Sequence, residues 1–161
     1  MSRHDLNIRP ALIYMDGQEW VPKAYADALE ARLREKQRTA QAHRHQFAEI
    51  RDLWENLPAS HADAPYAKSA EAFRKHGLIE AGFCDTETVS FETPDQARAA
   101  APFIADLARK AHGYALIVAR GPLVVCSTPH SQSYKAMGKK RFQASKQAVL
   151  EWGYRLLGAS G

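Results

Sequence analysis

Gly138-Lys139-Lys140-Arg141 stands where the last amphipathic stretch of the chain begins. The first turn of a helix carries a partial positive charge and N–H groups without intrahelical partners, so acidic residues are favoured there. Three cations in that turn repel the helix start, and an anion from outside the chain resolves the mismatch. Phosphates bind at such starts through the free N–H groups, and Gly138 permits close approach. Ser131 and Ser133 add hydroxyl donors and Lys135 a further charge. Tyr134 has two readings, stacking on a base for roughly 1–3 kcal/mol or packing its ring into the core.

A second basic stretch lies far upstream. From Arg32 to His45 there are five basic residues, Arg32, Arg34, Lys36, Arg38 and Arg44, against the single acid Glu35. From Lys135 to Lys146 there are five against none. The formal net charge is only +4, but the two stretches carry +9 and the remainder −5. Segregation of this kind is the footprint of a protein that meets phosphates along one surface, although each stretch alone also reads as a solvated helix face. Between His76 and Ala97 stand five acids and no Lys or Arg, an acidic segment suited to bordering the basic surface, to contacting another protein, or to plain solvation.

Specific catalytic constellations are absent. The seven histidines form no HExxH, no CxxC pair occurs, and Ser127 lies in no G-x-S-x-G elbow. Gly138-Lys139-Lys140 only superficially echoes the end of a nucleotide-binding phosphate loop. The expectation is a non-enzyme with no cofactor and no metal. Cys84 and Cys126 read as reduced, partly buried thiols, with a disulfide as the alternative.

The elements that would position these residues follow from periodicity. With 45% hydrophobic and 25% charged residues, a chain of 161 fits one domain spanning 1–161 with a real core. No apolar run approaches the roughly 18 residues of a bilayer span, and the N-terminus lacks the apolar core of a secretion signal. The expectation is a cytoplasmic protein with no membrane partner. Two apolar runs around Asp16-Gly17 predict a hairpin with Trp20 on its buried face. Lys23 to Leu57 contains no Pro or Gly and predicts one long helix, or two with a break near Arg38 where Thr39 caps the second. Ala59 to Lys68 reads as a loop. Ser69 caps the next helix, which Gly77 ends or kinks, and Phe83 to Phe91 carries β-formers. Thr93-Pro94-Asp95-Gln96 is a capping box opening a helix with the stripe Ala100, Phe103, Ile104, Leu107 and Ala111. Tyr114 to Val118 and Leu123 to Cys126 flank a second hairpin, and Phe142, Val149, Trp152 or Gly153, Leu156 and Leu157 mark the buried side of the final helix. The predicted fold is α+β: N-terminal β-hairpin, long basic amphipathic helix (or two), central helices, second β-hairpin, C-terminal amphipathic helix.

Two runs carry a family resemblance. Arg38-Thr39, Gln41, His43-Arg44 and Phe47 resemble a helix start of the phage-encoded NinB (Orf) recombination mediators and their small relatives. Ser131-Gln132-Ser133-Tyr134-Lys135-Ala136-Met137-Gly138, with Phe142 after it, resembles the segment opening their C-terminal helix. The resemblance covers most of the chain in outline and about 20 residues in motif. It implies a virus- or prophage-derived homodimer that binds single-stranded or branched DNA with little sequence preference, beside a single-strand-binding protein in recombination. It also implies Arg38, Gln41 and Arg44 as phosphate-facing residues. One departure stands out, because relatives often carry acids in the first turn of the last helix where this chain has Lys139, Lys140 and Arg141. Two other readings stay open. One is a protein-interaction module using the acidic segment or an exposed Trp54, and the other is a small enzyme acting on nucleic acid.

Overall fold

The computed structural model describes residues 13–15, 18–20 and 23–158. Two short strands, β1 (Ile13–Met15) and β2 (Gln18–Trp20), pair antiparallel with Ile13 opposite Trp20. The Asp16-Gly17 turn and the burial of Trp20 lie outside what is described. Helix α1 (Lys23–Glu55) is one uninterrupted helical segment, since nothing in it removes a backbone donor, and no break occurs at Arg38. Two 3-10 turns, Ala59–His61 and Pro65–Lys68, occupy the segment read as a loop. Helix α2 (Ala70–Glu80) follows, then strand β3 (Cys84–Ser90), helix α3 (Pro94–His112), strands β4 (Leu116–Arg120) and β5 (Leu123–Pro129), the single turn α4 (Tyr134–Met137) and helix α5 (Lys139–Gly158). The chain divides into two compact units, Met1–His45 and Gln46–Gly161.

The predicted element order does not describe this molecule, which is mostly helical with one small three-stranded antiparallel sheet. The expected second hairpin is only two thirds of that sheet. Its strand order is β3-β5-β4, with β3 lying along the free side of β5 from Cys84 opposite Pro129 to Ser90 opposite Leu123. A reading of neighbouring apolar runs pairs only strands joined by a tight turn. Here all of α3 intervenes between β3 and β4.

The core of the second unit sits between the end of α1, α2 and α5. Ile50 and Leu53 pack with Phe73, Leu78, Val149, Leu150 and Trp152. Burying each large side chain of this kind stabilises by about 1.5–3 kcal/mol. Gly77 does not end α2. It lies inside the helix, where an added Cβ would stand 2.8 Å from the Trp152 ring, so its missing side chain lets α2 and α5 approach. The helix actually stops at Ala81 and Gly82, the latter at φ 81°. Trp54 is not an exposed anchor either. It is half-buried against the core and its indole N–H donates to the Ala67 carbonyl at 2.8 Å.

On α3 the capping box is present, with Gln96 N–H donating to Thr93 Oγ1 and Gln96 Oε1 accepting from Thr93 N–H. The predicted stripe is rotated, however. Ala97 and Ala105 are the buried residues, whereas Phe103 and Leu107 are 68% and 52% exposed. Small alanines let the helix lie close on β4 and β5, and that approach decides which face turns inward.

Candidate nucleic-acid interface

The chain leaves the sheet at Pro129, runs through His130 to Ser133, makes the one-turn helix α4, reverses at Gly138 (φ 74°) and enters α5 at Lys139. No acid stands in the first turn of α5. Ser133 Oγ accepts from the Ala136 N–H at 3.1 Å and so caps α4. Gly138 N–H donates to the Tyr134 carbonyl at 2.9 Å. The half-buried Tyr134 ring packs on the fully buried Phe142 ring, centroids 5.5 Å apart.

Two side-chain networks fix this segment to the rest of the unit. In the first, the Arg74 guanidinium donates through Nε and Nη2 to both oxygens of Glu71, at 2.9 and 2.6 Å, and through Nη1 to Gln132 Oε1 at 2.8 Å. Gln132 Nε2 donates to Ser145 Oγ at 3.0 Å, and Ser145 in turn donates to the Phe142 carbonyl at 2.8 Å. Arg74 and Ser145 are buried, so the charge and the hydroxyl each need these partners. Burial acts to raise the Glu71 carboxyl, but the hydrogen bonds and charges of Arg74 and Lys75 outweigh it and hold it below its ordinary value.

The second network joins strand, loop and helix start. Arg141 Nη2 lies 2.9 Å from His130 Nδ1, and His130 Nε2 lies 3.0 Å from Asp85 Oδ1. An arginine cannot accept, so Nδ1 is the acceptor and Nε2 carries the proton that faces Asp85. The Arg141 guanidinium also lies over the Phe83 ring, 5.8 Å from its centroid. The backbone holds the pair in place, with His130 N–H donating to the Phe83 carbonyl at 2.9 Å.

Both networks open onto one polar pocket of about 560 Å³, lined among others by Arg74, Lys75, Asp85, His130, Ser131 and Gln132. Lys75 Nζ sits 3.4 Å from the His112 carbonyl and 3.7 Å from Glu71. Among the lining residues the cations Arg74 and Lys75 equal the carboxylates Glu71 and Asp85 in number, and Arg141 stands behind His130. Of the residues predicted from the sequence, Ser131 lines the pocket and Arg141 reaches it through His130. Lys135, Lys139 and Lys140 are exposed on the adjoining turn. Arg34, Arg38, Gln41 and Arg44 are exposed on α1 in the other unit, with Arg34 3.4 Å from Glu30. Arg74, Lys75, His130 and Gln132 are absent from the sequence-based set. Arg74 and Gln132 are 58 positions apart, and no local periodicity links them.

Among the described residues, no group of three or more His, Cys, Asp or Glu is placed to hold a metal ion, and no helix is long and apolar enough to cross a membrane. Cys84 and Cys126 are both free thiols. No protein-family model, no curated protein and no solved structure matches the chain.

Proposed function

We propose that this protein binds single-stranded or branched nucleic acid, DNA by the motif resemblance, without catalysing a reaction on it. The observation that carries the reading is the gathering of cations from separate segments around the α4–α5 turn. Lys135, Lys139 and Lys140 are exposed on it, and Arg141 joins it to a pocket that also holds Arg74 and Lys75. Backbone phosphates offer the dispersed negative charge that such a surface lacks. The basic, exposed part of α1 in the first unit supplies a second binding region. Little sequence preference is expected, through the same motif resemblance. A homodimeric state and cooperation with a single-strand-binding protein belong to the same proposal, through the resemblance to the NinB mediators.

A titration of labelled single-stranded DNA at rising salt tests this. Affinity falls steeply as salt increases, and substituting Lys135, Lys139 and Lys140 by Ala weakens binding at every salt concentration. No binding at low salt, or an affinity indifferent to the triple substitution, removes the proposal.

A further inference from the structure

The polar pocket has features that a groove for a continuous strand does not need. Its basic and polar groups are recessed: the side chains of Arg74, Lys75 and His130 are only 10%, 22% and 25% exposed. They come from α2 and from the end of β5, and each is held in place before any ligand arrives. Glu71 takes two of the five guanidinium N–H groups of Arg74 and Gln132 takes one, which leaves two. The Lys75 ammonium carries three protons, and its contacts are long, 3.4 Å to the His112 carbonyl and 3.7 Å to Glu71. Thr128 and Ser131, both hydroxyl-bearing, belong to the same lining. Donors preorganised in this way lose little freedom on binding, and a charged acceptor roughly doubles the strength of each hydrogen bond.

A phosphodiester within a strand has two esterified oxygens and one negative charge, and it needs an exit for the chain on both sides. A phosphate monoester presents three free oxygens and about −1.5 to −2 of charge near neutral pH, which suits a recessed, donor-rich pocket better. We propose that this pocket takes a phosphate monoester, the terminal phosphate of a nucleic-acid strand, so that the protein prefers strand ends. The inference rests on the strand-binding reading above and assigns Arg74, Lys75, Thr128 and Ser131 as donors to the terminal phosphate. The Asp85–His130–Arg141 relay fixes the rim. The exposed lysines of the α4–α5 turn then follow the strand away from its end.

The test uses the full chain and one oligonucleotide sequence in three forms: phosphorylated at the 5′ end, phosphorylated at the 3′ end, and unphosphorylated. One phosphorylated form binds about tenfold more tightly than the unphosphorylated form, the scale of one charged hydrogen bond. Lys75→Ala brings that ratio towards one. Asp85→Asn, at a mostly exposed carboxylate, raises it by removing a negative charge beside the phosphate. A merely structural role does not move the ratio in opposite directions in the two variants. Equal affinity for all three forms overturns the terminal-phosphate inference and leaves strand binding standing. If no oligonucleotide binds, strand binding falls, and thermal melting with a nucleoside 5′-monophosphate then decides the pocket alone. A midpoint raised in the parent and unmoved in Lys75→Ala assigns it to free nucleotides. An unmoved midpoint in both ends the inference.

Discussion

Arg141 shows how a residue's role changes once its neighbours are known. As part of a Lys-Lys-Arg run it is one of three interchangeable charges, whereas in the structure His130 and the Phe83 ring hold its guanidinium while Lys135, Lys139 and Lys140 remain exposed. Gln132 is the residue on which the pocket wall depends most. Its amide oxygen serves buried Arg74 and its amide nitrogen serves buried Ser145. Gln132→Ala strips both partners and is expected to cost roughly 1–3 kcal/mol in chemical denaturation. Gln132→Glu keeps an acceptor for Arg74 and falls between the two. His76 gives a pH prediction. Its Nδ1 lies 2.7 Å from the Tyr114 hydroxyl and its Nε2 3.3 Å from Glu80. Burial pushes its pKa down, the Glu80 charge and hydrogen bond oppose this, and the net shift is downward. The folded state therefore favours the neutral ring. Its stabilising contribution is fully present above the unfolded value of about 6.5 and is lost as the pH falls through the lower folded value. The thermal midpoint should drop with falling pH from near 6.5, and His76→Gln should flatten that part of the profile. Tyr114, raised to about 12 chiefly by burial, acts in the opposite sense, since its contribution holds below about 10 and is lost as the pH rises through the folded value.

At the scale of elements, two glycines set how closely helices pack. An added Cβ at Gly153 of α5 would stand 2.9 Å from Leu53 Cδ1 and 3.2 Å from Phe73 Cζ. Ala is better than Gly within a helix by about 1 kcal/mol, so propensity alone predicts that Gly153→Ala stabilises. Overpacking a filled core costs about 1–3 kcal/mol, and here it meets two core side chains at once. Gly153→Ala is thus expected to be net destabilising, whereas Gly158→Ala, at the last residue of α5 with nothing within 4 Å of its Cβ, is expected to change stability little. Urea unfolding of the two variants separates the effects. The start of α3 was legible from four residues because a capping box is a local arrangement. The buried face of α3 was not, because the approach of the sheet chose the alanines over Phe103 and Leu107.

At the scale of the molecule, electrostatics supplies the measurable signature. On a single strand, every phosphate that the protein no longer neutralises lowers the salt dependence of log affinity by about 0.7. Replacing Lys135, Lys139 and Lys140 together should therefore flatten the slope by about 2 if each meets a phosphate. A weaker affinity with an unchanged slope points instead to a shape or folding effect. The sequence alone determined what depends on near neighbours: the helical character of the stretch that α1 occupies, the Thr93 capping box, and the basic first turn of α5. Each follows from backbone donors, side-chain caps and charge within a few residues, which the order of the chain states outright. Only the tertiary structure decided that β3 completes the sheet and that Gly77 lets two helices approach. It also decided that Arg74, Lys75 and His130, rather than the lysine run alone, surround the pocket beside that turn. Those outcomes rest on the meeting of residues tens of positions apart, where burial and packing choose partners that no local pattern names.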